Sequence, residues 1–295
     1  MFRKIAQIIA ITATCSLAAC NQPVEEKSQI STEPRIVSLS GAVSETLVAL
    51  GMEEQIVGVD VTSTFPGSLQ SKTKVGNTHN LNVESILALR PDYVISMQQR
   101  GIKPEQAAQL QQAGVKVWII DQEYSINGTK KYISQLADSF GKQEAGKNLI
   151  NTIDEQYAAI PQFEQKPRIM FIYARGAGAL SVCGKDMPMA TMIAMAGGVN
   201  AGDEFEGFKP LTAEAVVKSD PDAILLFESG IKSLDGPEGI LQVPGVAQTK
   251  AGKNRNFIVM DGELLSGFGP RVTEAVIELS QKIHGAAPVA GAAAQ

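Results

Sequence analysis

Histidine is scarce in this chain: His79 and His284 are the two, beside Cys15, Cys20, Cys183 and five tyrosines. A metal-bearing ligand therefore has few imidazole, thiolate or phenolate positions to choose from. His284 closes an apolar-periodic run at 272–283, where a cation favours the negative end of a helix dipole, and it reads as structural. His79 lies in the loop Gly76-Asn77-Thr78-His79-Asn80, after the strand-like Lys74-Val75 and before a short helix. Ligands bind at the carboxyl ends of parallel strands, so His79 is the histidine placed for a functional role. A lone loop histidine is its plain alternative. Cys183 has no disulfide partner once the amino-terminal cysteines are set aside, and reads as a small buried apolar residue.

No catalytic apparatus accompanies these groups. The stretch 178–185 has five residues between its glycines and Asp186 where a magnesium-binding hydroxyl is needed, so it is not a phosphate loop. No Gly-x-Ser-x-Gly elbow, paired-histidine zinc motif or complete dinucleotide fingerprint occurs. With 295 residues, 44% of them hydrophobic, the chain has length and apolar content for about two domains. A net charge of −5 and the lack of long basic runs exclude a nucleic-acid partner.

Residues 1–19 read as an export signal: Arg3 and Lys4, an apolar run at 5–13 too short to span a bilayer, then small residues. Leu17-Ala18-Ala19-Cys20 looks like a lipobox, which predicts cleavage before Cys20, its lipidation, and a polar tether over 20–34. A secretory peptide with a chance cysteine is the alternative. The expected location is the periplasm or cell envelope, held to the membrane only through lipid.

The elements that must position any site alternate between short β-rich runs and helical patterns, which predicts parallel sheets with helices on both faces. The run 81–95, Leu-Asn-Val-Glu-Ser-Ile-Leu-Ala-Leu-Arg-Pro-Asp-Tyr-Val-Ile, aligns without gaps with 211–225, Leu-Thr-Ala-Glu-Ala-Val-Val-Lys-Ser-Asp-Pro-Asp-Ala-Ile-Leu. Each copy is a capped short helix, a Pro-Asp turn and a strand, with Glu84 or Glu214 in the first helical turn. The reading is an α/β fold: two Rossmann-like lobes with parallel sheets, at 35–128 and 161–285, joined by one long α-helix over 129–160. A disordered tail is expected at 286–295. One continuous doubly wound domain is the competing architecture.

The opening Arg35-Ile36-Val37-Ser38-Leu39, the segment Val57-Gly58-Val59-Asp60 with Thr62-Ser63-Thr64-Phe65-Pro66, and the paired glutamate helices resemble substrate-binding proteins of bacterial ABC importers, those bridged by a single helix. Within that class, Ala196-Gly197-Gly198-Val199-Asn200, 205–211, Val259-Met260-Asp261-Gly262 and Gly267-Phe268-Gly269-Pro270-Arg271 are similar to haem-binding lipoproteins. The resemblance implies a monomeric, non-enzymatic receptor carrying haem as transported ligand to a permease dimer with its ATPase. It also implies that Glu84 and Glu214 dock on permease arginines, one per lobe; simple stabilisation of helix starts is the other reading of these carboxylates. The family usually has a tyrosine before the proline, as iron ligand, where Phe65 stands here, and an arginine where His79 stands. Iron ligation is therefore expected to move to His79, with Tyr173 as the replacement phenolate; weak haem binding by apolar contact alone, or another ligand, is the alternative. Haem chemistry ranks the remaining candidates: Arg271 as propionate partner, with a solvated helix-start arginine as its alternative; Arg175, which with Tyr173 follows a strand directly, near the mouth between the lobes; and Phe65, Phe268, Met187 and Met189 as aromatic or thioether residues of the site. For the methionines, ordinary packing is the alternative. A corrinoid or an iron-chelate is the alternative ligand.

Overall fold

The computed structural model describes residues 33–77, 80–97 and 101–285. The export signal, Cys20, His79 and the tail 286–295 lie outside these residues. The N-terminal lobe runs β1 (Ile36–Ser38), α1 (Gly41–Ala49), β2 (Ile56–Val59), β3 (Thr73–Lys74), α2 (Val83–Ala88), β4 (Tyr93–Met97), α3 (Pro104–Gln112) and β5 (Lys116–Ile120). Its sheet has the order β3-β2-β1-β4-β5 and every pairing is parallel. Covered on both faces, the central β1 is fully buried, which is why Ile36-Val37 reads as a continuous apolar run rather than an alternating one.

The connecting segment is α4 (Ile126–Ser139) and α5 (Gln143–Ala158). The expectation of one long helix over 129–160 is corrected here. Phe140 ends α4, Gly141 turns at φ +67°, a conformation that side chains with a Cβ avoid, and α5 starts anew and packs beside α4. Both helices carry apolar faces, so the helical period persists across a turn that periodicity alone does not reveal.

The C-terminal lobe continues with β6 (Arg168–Ala174), β7 (Leu180–Cys183), α6 (Pro188–Met195), β8 (Val199–Asn200), β9 (Phe208–Pro210), α7 (Ala213–Ser219), β10 (Ala223–Phe227), α8 (Glu228–Ser233), α9 (Pro237–Leu241), α10 (Lys250–Lys253), β11 (Phe257–Met260), α11 (Gly262–Ser266) and α12 (Val272–His284). Its sheet has the order β11-β10-β6-β7-β9, with β8 also on β6. The two α/β lobes are those expected, but this sheet is mixed: β7 runs antiparallel to both β6 and β9. The physical reason is loop length. Only 175–179 separate β6 from β7, too few residues for the crossover that a parallel neighbour requires.

The sequence repeat is a structural one. Asn82 caps α2 by accepting from the Ser85 amide at 2.9 Å, and Thr212 caps α7 by accepting from the Ala215 amide at 3.3 Å. In the first copy the Asp92 carboxylate accepts from the Arg35 amide at 2.8 Å, and Arg35 Nη2 donates to Leu89 O at 2.8 Å. In the second, Asp222 accepts from the Arg168 amide at 2.8 Å, and Arg168 Nε donates to Ser219 O at 3.2 Å. The Pro-Asp turn of each copy is thus clasped to a Pro-Arg-Ile strand start, Pro34-Arg35-Ile36 or Pro167-Arg168-Ile169, a second repeat that becomes meaningful only once β1·β4 and β6·β10 are seen to pair.

Candidate ligand cleft

On the N-terminal side, the loop after β2 is held by a buried hydroxyl network. Ser63 Oγ donates to Asp60 Oδ1 at 2.6 Å and lies 2.8 Å from Ser44 Oγ, which bonds Ser38 Oγ at 2.8 Å. Lys74 Nζ donates to the carbonyls of Ser63 and Leu69 at 2.9 and 3.2 Å; partial burial pushes its pKa down against the upward pull of Asp60. The loop delivers Phe65, 44% exposed, to the lobe boundary, where the Arg271 guanidinium carbon sits 3.6 Å from the ring centroid.

Arg271 comes from the other lobe, at the start of α12. Its Nε and Nη2 bind the two carboxylate oxygens of Glu45, on α1, at 2.9 and 3.0 Å. Glu45 is 6% exposed, and burial raises its pKa against the lowering effects of Arg271. The same seam is closed by the loop before α12. Gln122 Nε2 donates to Gly267 O at 2.8 Å, and Thr129 Oγ1 and Tyr132 OH each donate to Phe268 O at 3.0 Å. Phe268 holds a left-handed φ of 51°, fully buried with its ring 5.3 Å from that of Tyr124. Burial raises the Tyr132 hydroxyl well above its ordinary value, leaving a neutral donor for that carbonyl. The approach is tight: a Cβ on Gly41 of α1 would lie 2.4 Å from Glu263 Oε1 of α11.

On the C-terminal side, the hairpin at the end of β6 presents Tyr173 and Arg175. Arg175 Nε donates to the Tyr173 hydroxyl at 2.6 Å. The Tyr173 ring lies 5.8 Å from Phe208, which is 41% exposed, and 6.1 Å from Phe227. This is an aromatic wall with a phenol oxygen and a cation at its edge.

The structure therefore brings together Phe65 with Arg271, and Tyr173 with Arg175. It also corrects three expectations. Phe268 and Met189 are 0% and 3% exposed, because their side chains complete the core beneath the seam and at the start of α6, so neither forms an open ligand face. Arg271 is taken up by Glu45 rather than held open for a propionate. Met187 is half-buried against the core. His284 stacks on Phe163 with centroids 3.6 Å apart, in line with a structural role. Burial pushes the Cys183 thiol up to about 12, consistent with a packing residue. Glu84 and Glu214 are exposed, each in the first turn of its helix.

A sequence profile described as periplasmic binding protein matches residues 36–264. The chain belongs to this family. It is similar to the uncharacterized ABC transporter substrate-binding lipoprotein YvrC of Bacillus subtilis (strain 168), 27% identical over an alignment that covers 93% of this chain and 95% of the relative. It is also similar to the cobalamin-binding protein of Halobacterium salinarum (strain ATCC 29341 / DSM 671 / R1), 25% identical over 285 residues, 90% of this chain and 75% of that one. Among solved structures it is similar to the periplasmic haem-binding protein RhuT from Roseiflexus sp. RS-1 in apo form, with a TM-score of 0.82 and 34% identity over 85% of this chain and 98% of that chain. The periplasmic binding protein family is one of substrate-binding transport proteins, not an enzyme class.

Sequence reasoning missed Glu45, Phe208 and Phe227. A charged residue among Ala42, Val43 and Leu47 on α1 was a readable sign of a buried partner; which cation answers it was not readable, since Arg271 lies on another lobe.

Proposed function

We propose that this protein is a cell-envelope receptor that takes haem between its lobes and presents it to an ABC permease with its ATPase. The observation that carries the reading is the Tyr173–Arg175 pair set into the wall of Phe208 and Phe227. The aromatic rings suit the face of a planar macrocycle. A guanidinium against the phenol oxygen offsets the negative charge that this oxygen carries when it ligates ferric iron. The likeness to RhuT supports the same ligand. His79, from its place in the sequence, is the proposed iron ligand and Tyr173 its companion or substitute.

The likeness to a cobalamin-binding protein favours a second reading, in which the cleft holds a corrinoid. Titration separates them. Ferric haem is expected to give a saturable, shifted porphyrin absorption band at one equivalent, with cyanocobalamin leaving the protein unchanged; the reverse result replaces haem by a corrinoid. In the haem-loaded protein, His79→Ala and Tyr173→Phe are each expected to move the iron spectrum. A spectrum unmoved by both removes them as ligands.

Docking through Glu84 and Glu214 is part of the proposal. Charge reversal at both is expected to abolish stimulation of the permease ATPase while ligand affinity stays intact; lost affinity means that they serve the cleft instead. Anchoring through Cys20 is tested by palmitate labelling, which Cys20→Ala should remove.

A further inference from the structure

Glu45, Arg271 and Phe65 form a stack that crosses the lobe boundary. The carboxylate is 6% exposed and engages the guanidinium through both oxygens at 2.9 and 3.0 Å, which fixes the position of the planar fork. The fork lies 3.6 Å from the Phe65 ring centroid. One face of the ring is on the cation, and the residue as a whole is still 44% exposed. Cation contact draws π density toward the covered face, leaving the open face better matched to an electron-rich flat ring. Without the carboxylate, the arginine regains its rotamer freedom and the platform is lost.

We propose that Glu45 and Arg271 are positioning residues for ligand discrimination, holding Phe65 as a stacking platform for one face of a planar porphyrin. Resting on the tetrapyrrole reading above, this assigns the platform to recognition of the macrocycle rather than of its metal. A corrinoid, with axial groups and amide arms standing off its ring, gains little from such a surface.

The probes are metal-free protoporphyrin IX, followed by fluorescence, ferric haem and cyanocobalamin. Phe65→Ala, Glu45→Gln and Arg271→Lys are each expected to weaken protoporphyrin and haem by the same factor, about tenfold. The absorption maximum of bound haem should not move. Arg271→Lys keeps the charge and loses the fork, so its loss of affinity reports geometry. In the Phe65→Ala background, Glu45→Gln should cost nothing further, because it acts through the ring; additive losses would mark a general structural role and overturn the proposal. Folded variants that bind as the parent does, or a loss confined to haem with a shifted spectrum, also overturn it. A parent protein that binds none of the three probes overturns the tetrapyrrole reading and the platform together, whereas parent binding with unchanged variants overturns the platform alone.

Discussion

The two lobes share one scaffold and differ where they face each other. In both, a Pro-Arg-Ile strand start is clasped by the aspartate of a Pro-Asp turn, and a left-handed residue, Arg90 at φ 48° or Asp220 at φ 39°, precedes that proline. The same register follows: Ile36 opposes Tyr93, and Ile169 opposes Ala223. The central strand's neighbours then diverge. β1 lies between two parallel strands, whereas β6 has parallel β10 on one side and antiparallel β7 on the other. The antiparallel turn places Tyr173 and Arg175 at its corner, and β9 brings Phe208 beside them; the N-terminal lobe instead spends its corresponding end on a hydroxyl-pinned loop carrying Phe65. The lesson is a division of labour. Repeated geometry sets the exposed glutamates at equivalent places, and divergent geometry gives the two lobes unlike surfaces, a Phe65 loop on one and a Tyr173–Phe208 corner on the other.

That comparison can be broken at several points. The largest effect is expected at the seam: Phe268→Ala empties a fully buried site and should lower unfolding free energy by about 3–5 kcal/mol in urea titration. A loss below about 1 kcal/mol would mean that the seam opens freely. The clasps come next. Asp92→Ala and Asp222→Ala each remove a charge-assisted bond to a backbone amide that solvent partly replaces, about 1 kcal/mol apiece, once the exposed Lys250–Asp222 ion pair at 3.4 Å is removed from the comparison by measuring Asp222→Ala in a Lys250→Ala background. Their near equality tests the repeat, and a twofold disparity would show that the lobes do not use the turn alike.

Glu45 supplies a smaller, pH-dependent term. Its folded pKa is raised, so between the ordinary carboxylate range and that raised value the folded chain holds a proton that the unfolded chain releases. Its contribution is full below this window and is lost as pH rises through it. Urea midpoints followed upward from the ordinary carboxylate range should therefore carry a downward slope that Glu45→Gln flattens; an unchanged slope assigns the titration elsewhere. The smallest effect is expected at the exposed wall, where Phe208→Ala should change stability by no more than about 0.5 kcal/mol while weakening the ligand that the wall serves.

Much of this was legible in the chain. The gapless match of 81–95 with 211–225 announced two lobes because each copy carries its cap, turn and strand within a short span, where local propensity and steric rules act. Tyr173 beside Arg175 was legible for the same reason, being neighbours at a strand end. What escaped depended on short or distant features. Gly141 interrupts an unbroken apolar period, and the runs at 180–183 and 208–210 are too brief to declare themselves antiparallel strands.

By itself, then, the order of residues determined the α/β class, the duplicated clasp and the glutamates that open α2 and α7, because these depend on contacts between near neighbours or on patterns that recur. Only the tertiary structure decided that Arg271 answers Glu45, that Phe65 lies on Arg271, and that Phe268 closes the seam instead of lining the cleft. The reason is physical: a charge or a ring finds its partner by distance and burial, and residues far apart in sequence on separate lobes are neighbours only in the folded arrangement of both sheets.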